Sequence, residues 1–333
     1  MSIEKELYER ARGVEFLFRL GVSLVLPSSA LFTAATWFHR FFMRFALEDY
    51  HRQDVAAACI FLATKTEECG RKLKDVAKVC LAKIHNIPHM EEIPSDSPQV
   101  EECQTAILQA EEALLEALCF DFVVESPHAH LLELFENTPA SDDLTETYAW
   151  SIACDSYRTP LCILYTPKVI AAACYVLAQR VREGPHSPSL DARIALSAPG
   201  ASLPTPPTHK PASPDASRYA VDQLQLSEQE VTGVSDSLSI LLEFYNAQDL
   251  QDKAQHLSSI ASIPPPSVAR SLERGCLYPP ISHIALKSTA STVQHNSEQL
   301  HNLTPNSANG SITPHRILEA EPQAPASARS PRQ

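Results

Sequence analysis

Glycine is scarce in this sequence, which has 8 Gly in 333 residues against 26 Pro. Strand-and-turn folds and phosphate-binding loops depend on glycine for positive φ angles, so this composition argues against both. Frequent Ala and Leu, with Pro gathered in particular stretches, instead favour a helical domain joined by stiff, Pro-rich connectors.

Enzyme motifs are also missing. The sequence has no Gly-rich phosphate loop, no G-x-S-x-G nucleophile motif and no H-E-x-x-H zinc motif. Adjacent carboxylates occur at Glu67-Glu68, Glu101-Glu102 and Glu111-Glu112. These pairs lie on predicted helices, where neighbouring residues point in different directions, so they are poor general acid/base pairs. We therefore predict no enzyme activity and no cofactor.

The nine cysteines lack metal-ligand spacing, since no C-x-x-C and no Cys/His cluster occurs. Several lie in apolar helical stretches, where a free thiol behaves as a small apolar group, and this is typical of a reducing compartment. The charged start MSIEKELYERARG is unlike a signal peptide. No run of about 18 apolar residues occurs, so no membrane span is expected.

Charge is unevenly distributed along the chain. The formal net charge of −13 disfavours nucleic-acid binding by the chain as a whole. Residues 1–85 carry 13 Lys/Arg and 10 Asp/Glu, whereas residues 86–160 carry one Lys/Arg and 16 Asp/Glu. The acidic part fits either a basic partner or an ordinary solvated face, and the sequence leaves both open.

Apolar spacing predicts five helices in the first 125 residues. They span about 3–20, 27–42, 54–66, 73–85 and 99–118, with Gly21 as a helix stop and 86–98 as a loop. The third, DVAAACIFLATKT, is apolar nearly all round and is expected at the centre of its domain.

A second helical set follows, over about 127–136, 144–157, from Pro167 onward, 219–226 and 228–246. The segment KVIAAACYVLAQRV echoes the third helix of the first set, which suggests a duplicated domain. The Pro-rich stretch 184–217 is predicted to be a disordered loop. Residues 251–333 are predicted to be a mostly disordered tail with short docking segments near 278–286.

The predicted fold class is therefore all-α, with two tandem five-helix domains and a disordered C-terminal tail. The first domain, with its leading helix, covers 1–125. The second covers 126–250 and is interrupted at 184–217, and the tail covers 251–333.

The end of the third helix changes abruptly from apolar to charged in the segment LATKTEECGRKLK, residues 62–74. An ordinary explanation is that the helix reaches the surface, where a lysine complements the helix dipole. The alternative is that these charges form a docking surface.

Four spaced segments resemble one known family. LPSSALFTAATWFHRFFMR at 26–44, followed by DVAAACIFLATKTEECGRKLKDV at 54–76, resembles the first cyclin box of transcription-type cyclins. ILQAEEALLEALCFDF at 107–122 is similar to the family pattern of a Glu placed before a closing Phe-Asp. The segment 149–178 resembles the second box of cyclin K and of the fungal CTD kinase beta subunit. The resemblance is close over 14–125 and looser over 127–246.

This resemblance implies a function as well as a fold. It implies kinase-binding roles for Lys65 and Glu111, both expected to be at least partly exposed, with Glu68, Arg71 and Lys72 as neighbouring contacts. It implies a structural role for the closing residues Phe120 and Asp121.

The implied protein is a non-catalytic subunit that activates a cyclin-dependent kinase. That kinase would act in the nucleus on the C-terminal repeat domain of RNA polymerase II and promote transcription elongation. In fungi a third small subunit can join such a complex. No metal, no membrane and no direct nucleic-acid contact is implied.

Alternatives remain open at this point. The first helix, RARGVEFLFRLG, departs from the substrate-docking motif of cell-cycle cyclins. Cyclins L, T, C and H share the box pattern and partner other transcription kinases. The general transcription factor TFIIB, which binds DNA, is built from two similar folds, and a plain helical scaffold is a third possibility.

Overall fold

The computed structural model describes residues 1–137, 143–195, 218–248, 259–260, 262–267 and 276–278. Within these ranges the chain is helical and forms no strand, which confirms the predicted all-α class. The helices are α1 (Ile3–Ser23), α2 (Ser28–Phe41), α3 (Arg52–Thr66), α4 (Leu73–Ile84), α5 (Pro98–Leu118), α6 (Pro127–Glu136), α7 (Asp143–Ser156), α8 (Leu161–Leu164), α9 (Pro167–Glu183), α10 (Leu190–Ile194), α11 (Tyr219–Gln223) and α12 (Glu228–Ala247), with a 3₁₀ turn at Met90–Glu92.

Helix α3 lies at the centre of the first group of helices, packed against α1, α2, α4 and α5. Its residues from Val55 to Thr64 are all buried. A helix that is apolar on every side lowers its free energy by packing all of its sides against other helices. The central position predicted from DVAAACIFLATKT is therefore confirmed.

Helix α9 takes the corresponding central position in the second group, packed against α6, α7, α8, α10, α11 and α12. Its residues from Val169 to Gln179 are all buried. The similarity between the α3 and α9 sequences thus has a physical cause, because both are central helices. The short helices α8 and α10 were not predicted.

Helix α1 contributes side chains to both apolar cores. Leu7 and Ala11 pack in the second core, whereas Val14 and Leu17 pack in the first. Because one helix serves both cores, the division of the chain between residues 125 and 126 remains a prediction. No helix of the described ranges is long and apolar enough to cross a membrane.

A buried polar cluster also joins the two groups. Arg158 Nη1 donates to Asp155 Oδ1 at 2.9 Å, and the Tyr245 hydroxyl donates to Asp155 Oδ2 at 2.8 Å. Arg158 Nη2 lies 2.5 Å from Glu15 Oε2 on α1, an ion pair without hydrogen-bond alignment. Burying one of these charges alone would be costly, so the four side chains hold α1, α7 and α12 in one arrangement.

Aromatic stacking also contributes to this joint, the contact between the first and the second group of helices. The Phe32 ring stacks on Tyr157 with centroids 5.1 Å apart and on His128 at 4.0 Å. His39 lies fully buried, with Nε2 2.8 Å from the Tyr157 carbonyl oxygen. The His39 ring therefore packs between the two groups of helices.

Five helix ends share an unusual feature. A residue other than glycine adopts positive φ just after the helix, and the next residue donates its N–H to a carbonyl five positions back. The left-handed residues are Val25, Glu68, Asn86, Cys119 and Gln225, and Phe120 follows Cys119 with positive φ. This is the Schellman helix ending, which usually places glycine at that position. A chain with few glycines therefore ends its helices with strained residues.

Gly21 does not stop α1, so that prediction is wrong. The helix continues to Ser23 and ends through Val25, whose φ is 52°. Gly21 is needed instead for close packing, because a Cβ atom there would lie 2.9 Å from Leu31 Cδ1.

The prediction of a disordered loop over 184–217 is wrong for residues 184–195. These residues contain α10, and the Arg193 side chain is fully buried, donating to Gln179 Oε1 at 3.3 Å and to Glu183 Oε2 at 2.5 Å. The bonds of the Arg193 guanidinium to α9 hold this segment in place, although the segment has few apolar residues to bury. Residues 196–217 lie outside the described residues.

Part of the predicted tail also packs on the second core. Ile260, Ile263 and Tyr278 are buried, and the Tyr278 ring meets Phe244 edge-on at 5.5 Å. Residues 259–260, 262–267 and 276–278 are the part of the predicted tail that the structure describes. The remaining tail residues, including 279–286 of the expected docking segment, lie outside the described residues.

Candidate functional site

Lys65 and Glu111 form an ion pair between two helices of the first group. Lys65 Nζ donates to both carboxylate oxygens of Glu111, at 2.7 and 2.8 Å. The lysine lies in the last turn of α3 and the glutamate lies in the second half of α5. The structure thus brings together two residues that are 46 positions apart in the sequence.

The two partners differ in exposure. The Lys65 side chain is 48% exposed, whereas the Glu111 side chain is 8% exposed. The expectation that both are at least partly exposed is therefore confirmed for Lys65 and wrong for Glu111. Glu111 lies on the same face of α5 as the buried residues Ile107 and Leu114, so its carboxylate is directed at the core and needs a cationic partner.

Packing fixes the direction of the Lys65 side chain. Its Nζ lies 4.0 Å from the ring centroid of Phe61, one helical turn earlier. An ammonium group has three N–H donors, and two are directed at Glu111. Among the described residues no acceptor is found for the third. Lys65 therefore presents a half-exposed cation that is held by a buried anion and an aromatic face.

The turn after α3 is built by the strained helix ending. The Cys69 N–H donates to the Thr64 carbonyl, and Glu68 between them has φ 53° and is exposed. Thr33 on α2 donates its hydroxyl to Glu67 Oε1 at 3.0 Å. Both Glu67 and Glu68 are exposed, and only Glu67 is held by the Thr33 bond. The sequence did not predict the role of Thr33.

Arg71 holds the backbone of this turn in place. Its guanidinium donates to the backbone carbonyls of Leu24, Val25, Cys69 and Gly70, at distances between 2.7 and 3.2 Å. Four of its five N–H donors are thus directed at the loop between α1 and α2 and at the turn after α3. The sequence resemblance implied that Arg71 contacts a kinase; the structure assigns it a positioning role that sequence patterns did not indicate.

Lys72 and Lys74 lie at the start of α4. Lys72 is exposed and precedes α4 as its N-cap residue. Lys74 pairs with Asp96 at 2.8 Å, and both side chains are exposed, at 41% and 92%. This second pair matches the first in length and differs from it mainly in the burial of its carboxylate.

The end of α5 presents apolar side chains to solvent. Phe120 is 66% exposed, and its backbone N–H donates to the Leu115 carbonyl and closes the helix. The exposed Asp121 accepts from the Val123 N–H at 3.2 Å. Val123 and Leu108 are also exposed, at 74% and 47%. Phe120 thus contributes its backbone N–H to the helix ending, while its ring is exposed, and the structural role implied for it stays a prediction.

Leu108 lies one turn before Glu111 on α5, so exposed apolar surface accompanies the ion pair. The helical spacing of the apolar residues in α5 did not single out Leu108 as exposed. The signal available was Leu108 beside Gln109 and Glu112, on the polar side of the helix. Within the described ranges, no group of three or more His, Cys, Asp or Glu residues is placed to hold a metal ion.

Comparison with known proteins gives matches over most of the chain. The family model "Cyclin, N-terminal domain" matches residues 1–123. The protein Cyclin pch1 of Schizosaccharomyces pombe is 34% identical over 274 residues, which cover 81% of this chain and 73% of that protein.

Other relatives match a shorter part. Cyclin-T1-4 of Arabidopsis thaliana is 34% identical over 181 residues, which cover 54% of this chain and 34% of that longer protein. Among solved structures, a chain in the crystal structure of the yeast RNA Pol II CTD kinase CTDK-1 complex has a TM-score of 0.54 at 17% identity. That match covers 90% of this chain and 81% of the other, and it supports a common fold.

Proposed function

Because this chain belongs to the cyclin family, we propose that it binds and activates a cyclin-dependent protein kinase through a surface centred on Lys65 and Glu111. Cyclins are regulatory subunits of protein kinases and are not themselves enzymes. The catalytic groups therefore belong to the partner, and this chain supplies a rigid surface.

The observation that carries the proposal is the preformed pair. Lys65 is held by Glu111 at 2.7 and 2.8 Å and by the Phe61 ring at 4.0 Å, so its position is set before a partner arrives. A group that is already ordered loses little further freedom on binding. Its remaining N–H donor suits a backbone carbonyl or a carboxylate of the kinase.

Apolar and charged residues around the pair complete the proposed surface. The exposed side chains of Leu108 and Phe120 provide apolar area, and aromatic residues are frequent anchors in protein interfaces. Glu68 and Lys72 are exposed and provide charges that select the partner. Arg71 acts through them, because it fixes the backbone of the turn that presents Glu68.

A rigid helical surface can activate a kinase without taking part in phosphoryl transfer. The kinase needs its αC helix turned inward, so that a Glu of that helix pairs with the Lys that holds the ATP phosphates. A partner that binds only this inward state shifts the kinase population towards it. The α3 and α5 helices, packed on a continuous apolar core, have the rigidity for this selection.

The proposed substrate of the kinase is the C-terminal repeat domain of RNA polymerase II, and the proposed outcome is transcription elongation. Support comes from the similarity of residues 149–178 to the second box of cyclin K and of the fungal CTD kinase beta subunit. The fold shared with a chain of the CTDK-1 complex agrees with it. Location in the nucleus and a third small subunit belong to the same proposal.

A second candidate is a kinase of the type that cyclin T partners. It is favoured by the match to Cyclin-T1-4 and by Cyclin-T1 of Equus caballus, which is 31% identical over 175 residues. Those matches cover about half of this chain, whereas the match to Cyclin pch1 covers 81% of it. The cyclin matches do not favour a TFIIB-like DNA-binding protein.

The direct experiment isolates the tagged full chain from its own cells and identifies the bound proteins by mass spectrometry. We expect one cyclin-dependent kinase in equal amount, and phosphorylation of a heptad-repeat peptide by the isolated complex. Recovery of a kinase that leaves this peptide unmodified would reject the polymerase substrate only. Recovery of no kinase, or tight binding of the chain to duplex DNA in a gel shift at moderate salt, would reject the whole proposal.

A further inference from the structure

The loop between α9 and α10 contains a Ser187-Pro188 dipeptide. Its flanking residues Pro185, His186 and Ser189 are exposed, and Ser187 itself is half-buried. The Ser187 hydroxyl donates to the Gly184 carbonyl at 2.8 Å. The dipeptide thus lies in a short surface turn between two helices.

The other described Ser-Pro and Thr-Pro dipeptides are built into helix starts. Ser97, Ser126 and Thr166 are N-cap residues, and the proline after each is the first residue of α5, α6 or α9. Thr159 is fully buried, and Pro160 is the N-cap of α8. A protein kinase binds its substrate segment in extended form, so these four would require a helix to unwind, whereas Ser187 would not.

Two arginines form hydrogen bonds to the Ser187-Pro188 turn. Arg180 Nη1, in the last turn of α9, lies 3.0 Å from Ser187 Oγ, and Arg180 Nη2 donates to the Pro185 carbonyl at 3.2 Å. The buried Arg193 donates through Nε to the Pro188 carbonyl at 3.3 Å. A guanidinium that touches a serine hydroxyl is placed to receive a phosphate on that oxygen, because it can offer two parallel N–H donors.

We propose that Ser187 is a phosphorylation site for a proline-directed protein kinase, with Arg180 as the residue that receives the phosphate. In the transfer, Ser187 Oγ forms a bond to the γ-phosphorus of ATP, and the bond from that phosphorus to the β–γ bridging oxygen breaks. The hydroxyl proton passes to the catalytic base of the kinase, and ADP leaves. This proposal extends beyond kinase activation and holds whichever proline-directed kinase acts.

The charges around the turn determine whether a phosphate on Ser187 is stabilised there. The C-terminus of α9 and the Glu183 carboxylate disfavour a second negative group nearby. Arg180 opposes them at direct contact, and Arg182 adds a further positive charge in the same helical turn. Charge-assisted hydrogen bonds act more strongly than a helix terminus, so the phosphate tightens the turn that leads into α10.

The site can be tested on the full chain bound to its own kinase. The complex is incubated with ATP and, in a second arm, with an unrelated proline-directed kinase. Trypsin then releases residues 183–193, EGPHSPSLDAR, in which Ser187 and Ser189 carry the only hydroxyls. We expect phosphate on Ser187 in at least one arm, loss of it in Ser187→Ala and retention of it in Ser189→Ala. An unmodified peptide in both arms, while other Ser-Pro or Thr-Pro sites of the chain accept phosphate, overturns the proposal.

The role of Arg180 needs a separate readout. Backbone hydrogen exchange over 184–189 is compared between the phosphorylated and unphosphorylated forms of each variant, so that any effect of the substitution itself cancels. We expect phosphorylation to slow exchange about tenfold in the wild type, to slow it less in Arg180→Lys and to leave it unchanged in Arg180→Gln. Equal slowing in Arg180→Gln would remove Arg180 from the proposal.

Discussion

Lys65 and Glu111 are joined by two short hydrogen bonds, of 2.7 and 2.8 Å, and only the lysine of the pair is substantially exposed. In the proposed docking surface Glu111 therefore acts through the lysine, whose position it sets. Because Glu111 is buried, reversing its charge would disturb the fold as well as kinase binding, so this variant cannot test docking alone. Two cations would then meet at a buried position, and breaking a buried pair by changing one member costs about 3–5 kcal/mol.

The two buried histidines at the joint between the helix groups predict a loss of stability in mild acid. Burial, aided in His39 by the nearby Arg10 charge, lowers the pKa of His39 to about 4, and burial lowers the pKa of His128 to about 4. The unfolded chain takes up these protons near pH 6.5, whereas the folded chain remains neutral until about pH 4. Stability is therefore fully present above pH 6.5 and falls between these values, by about 1.4 kcal/mol per pH unit for each histidine.

Urea unfolding at pH 7.5, 6.0 and 5.0 measures this loss directly. In His39→Gln we expect the dependence on pH to be roughly halved, since one of the two titrating groups is gone. Equal stability at all three pH values would contradict the burial of the two neutral rings.

The strained ending of α1 predicts a stabilising substitution. Val25 is a β-branched residue at φ 52°, which glycine adopts without the contact between Cβ and the carbonyl oxygen. We expect Val25→Gly to stabilise the protein by about 1 kcal/mol and to raise the Tm by about 2–4 °C. The matched control is Val22→Gly, which places glycine inside the last turn of the same helix and should lower stability by a similar amount. Destabilisation by both changes would argue against the left-handed conformation of Val25.

The cluster at Arg158 predicts a large loss of stability from one substitution. Arg158→Met leaves the carboxylates of Asp155 and Glu15 without their cation, and we expect a loss of about 3–5 kcal/mol. Tyr245→Phe removes one hydrogen bond to Asp155 and should cost about 1–2 kcal/mol. The control Arg19→Met, at an exposed position on α1, should stay within about 0.5 kcal/mol of the wild type. A loss below about 1 kcal/mol in Arg158→Met would rule out a buried ionic joint.

The segment around Ile260, Ile263 and Tyr278 predicts where the chain can be shortened. A chain that ends at residue 278 keeps these buried side chains and should match the stability of the full chain. A chain that ends at residue 250 loses all three, and each buried isoleucine alone contributes about 2 kcal/mol. Thermal unfolding of the two shortened chains compares them. Equal Tm values would contradict the packing of this segment on the second core.

Helix starts could be predicted well because the residues that cause them are local. Pro127 and Pro167 each stand at the first position of a helix, where a fixed φ and a missing N–H are tolerated. The ends of α1 and α11 were predicted less well, each being three residues off. The usual sign is glycine, and here Val25 and Gln225 take its place.

The ion pair at the site could be anticipated from a family resemblance, whereas the residues that support it could not. Two of the four bonds of Arg71 depend on the backbone of a loop 46 and 47 positions away, which no local pattern indicates. The exposure of Glu111 was misjudged because its burial depends on how α5 packs. Ile260 and Ile263 were assigned to a tail because two isolated apolar residues among polar ones give no helical period.

Kinase affinity tests the docking surface most directly when the pair is removed as a unit. In Lys65→Met/Glu111→Leu both charges are replaced by apolar groups of similar size, so the fold should persist. The matched control is Lys74→Met/Asp96→Leu, which removes an exposed pair of the same length. The account predicts a Kd for the kinase at least about tenfold higher in the first variant and within about twofold of the wild type in the control. A folded Lys65→Met/Glu111→Leu variant that binds the kinase as tightly as the control would contradict the account.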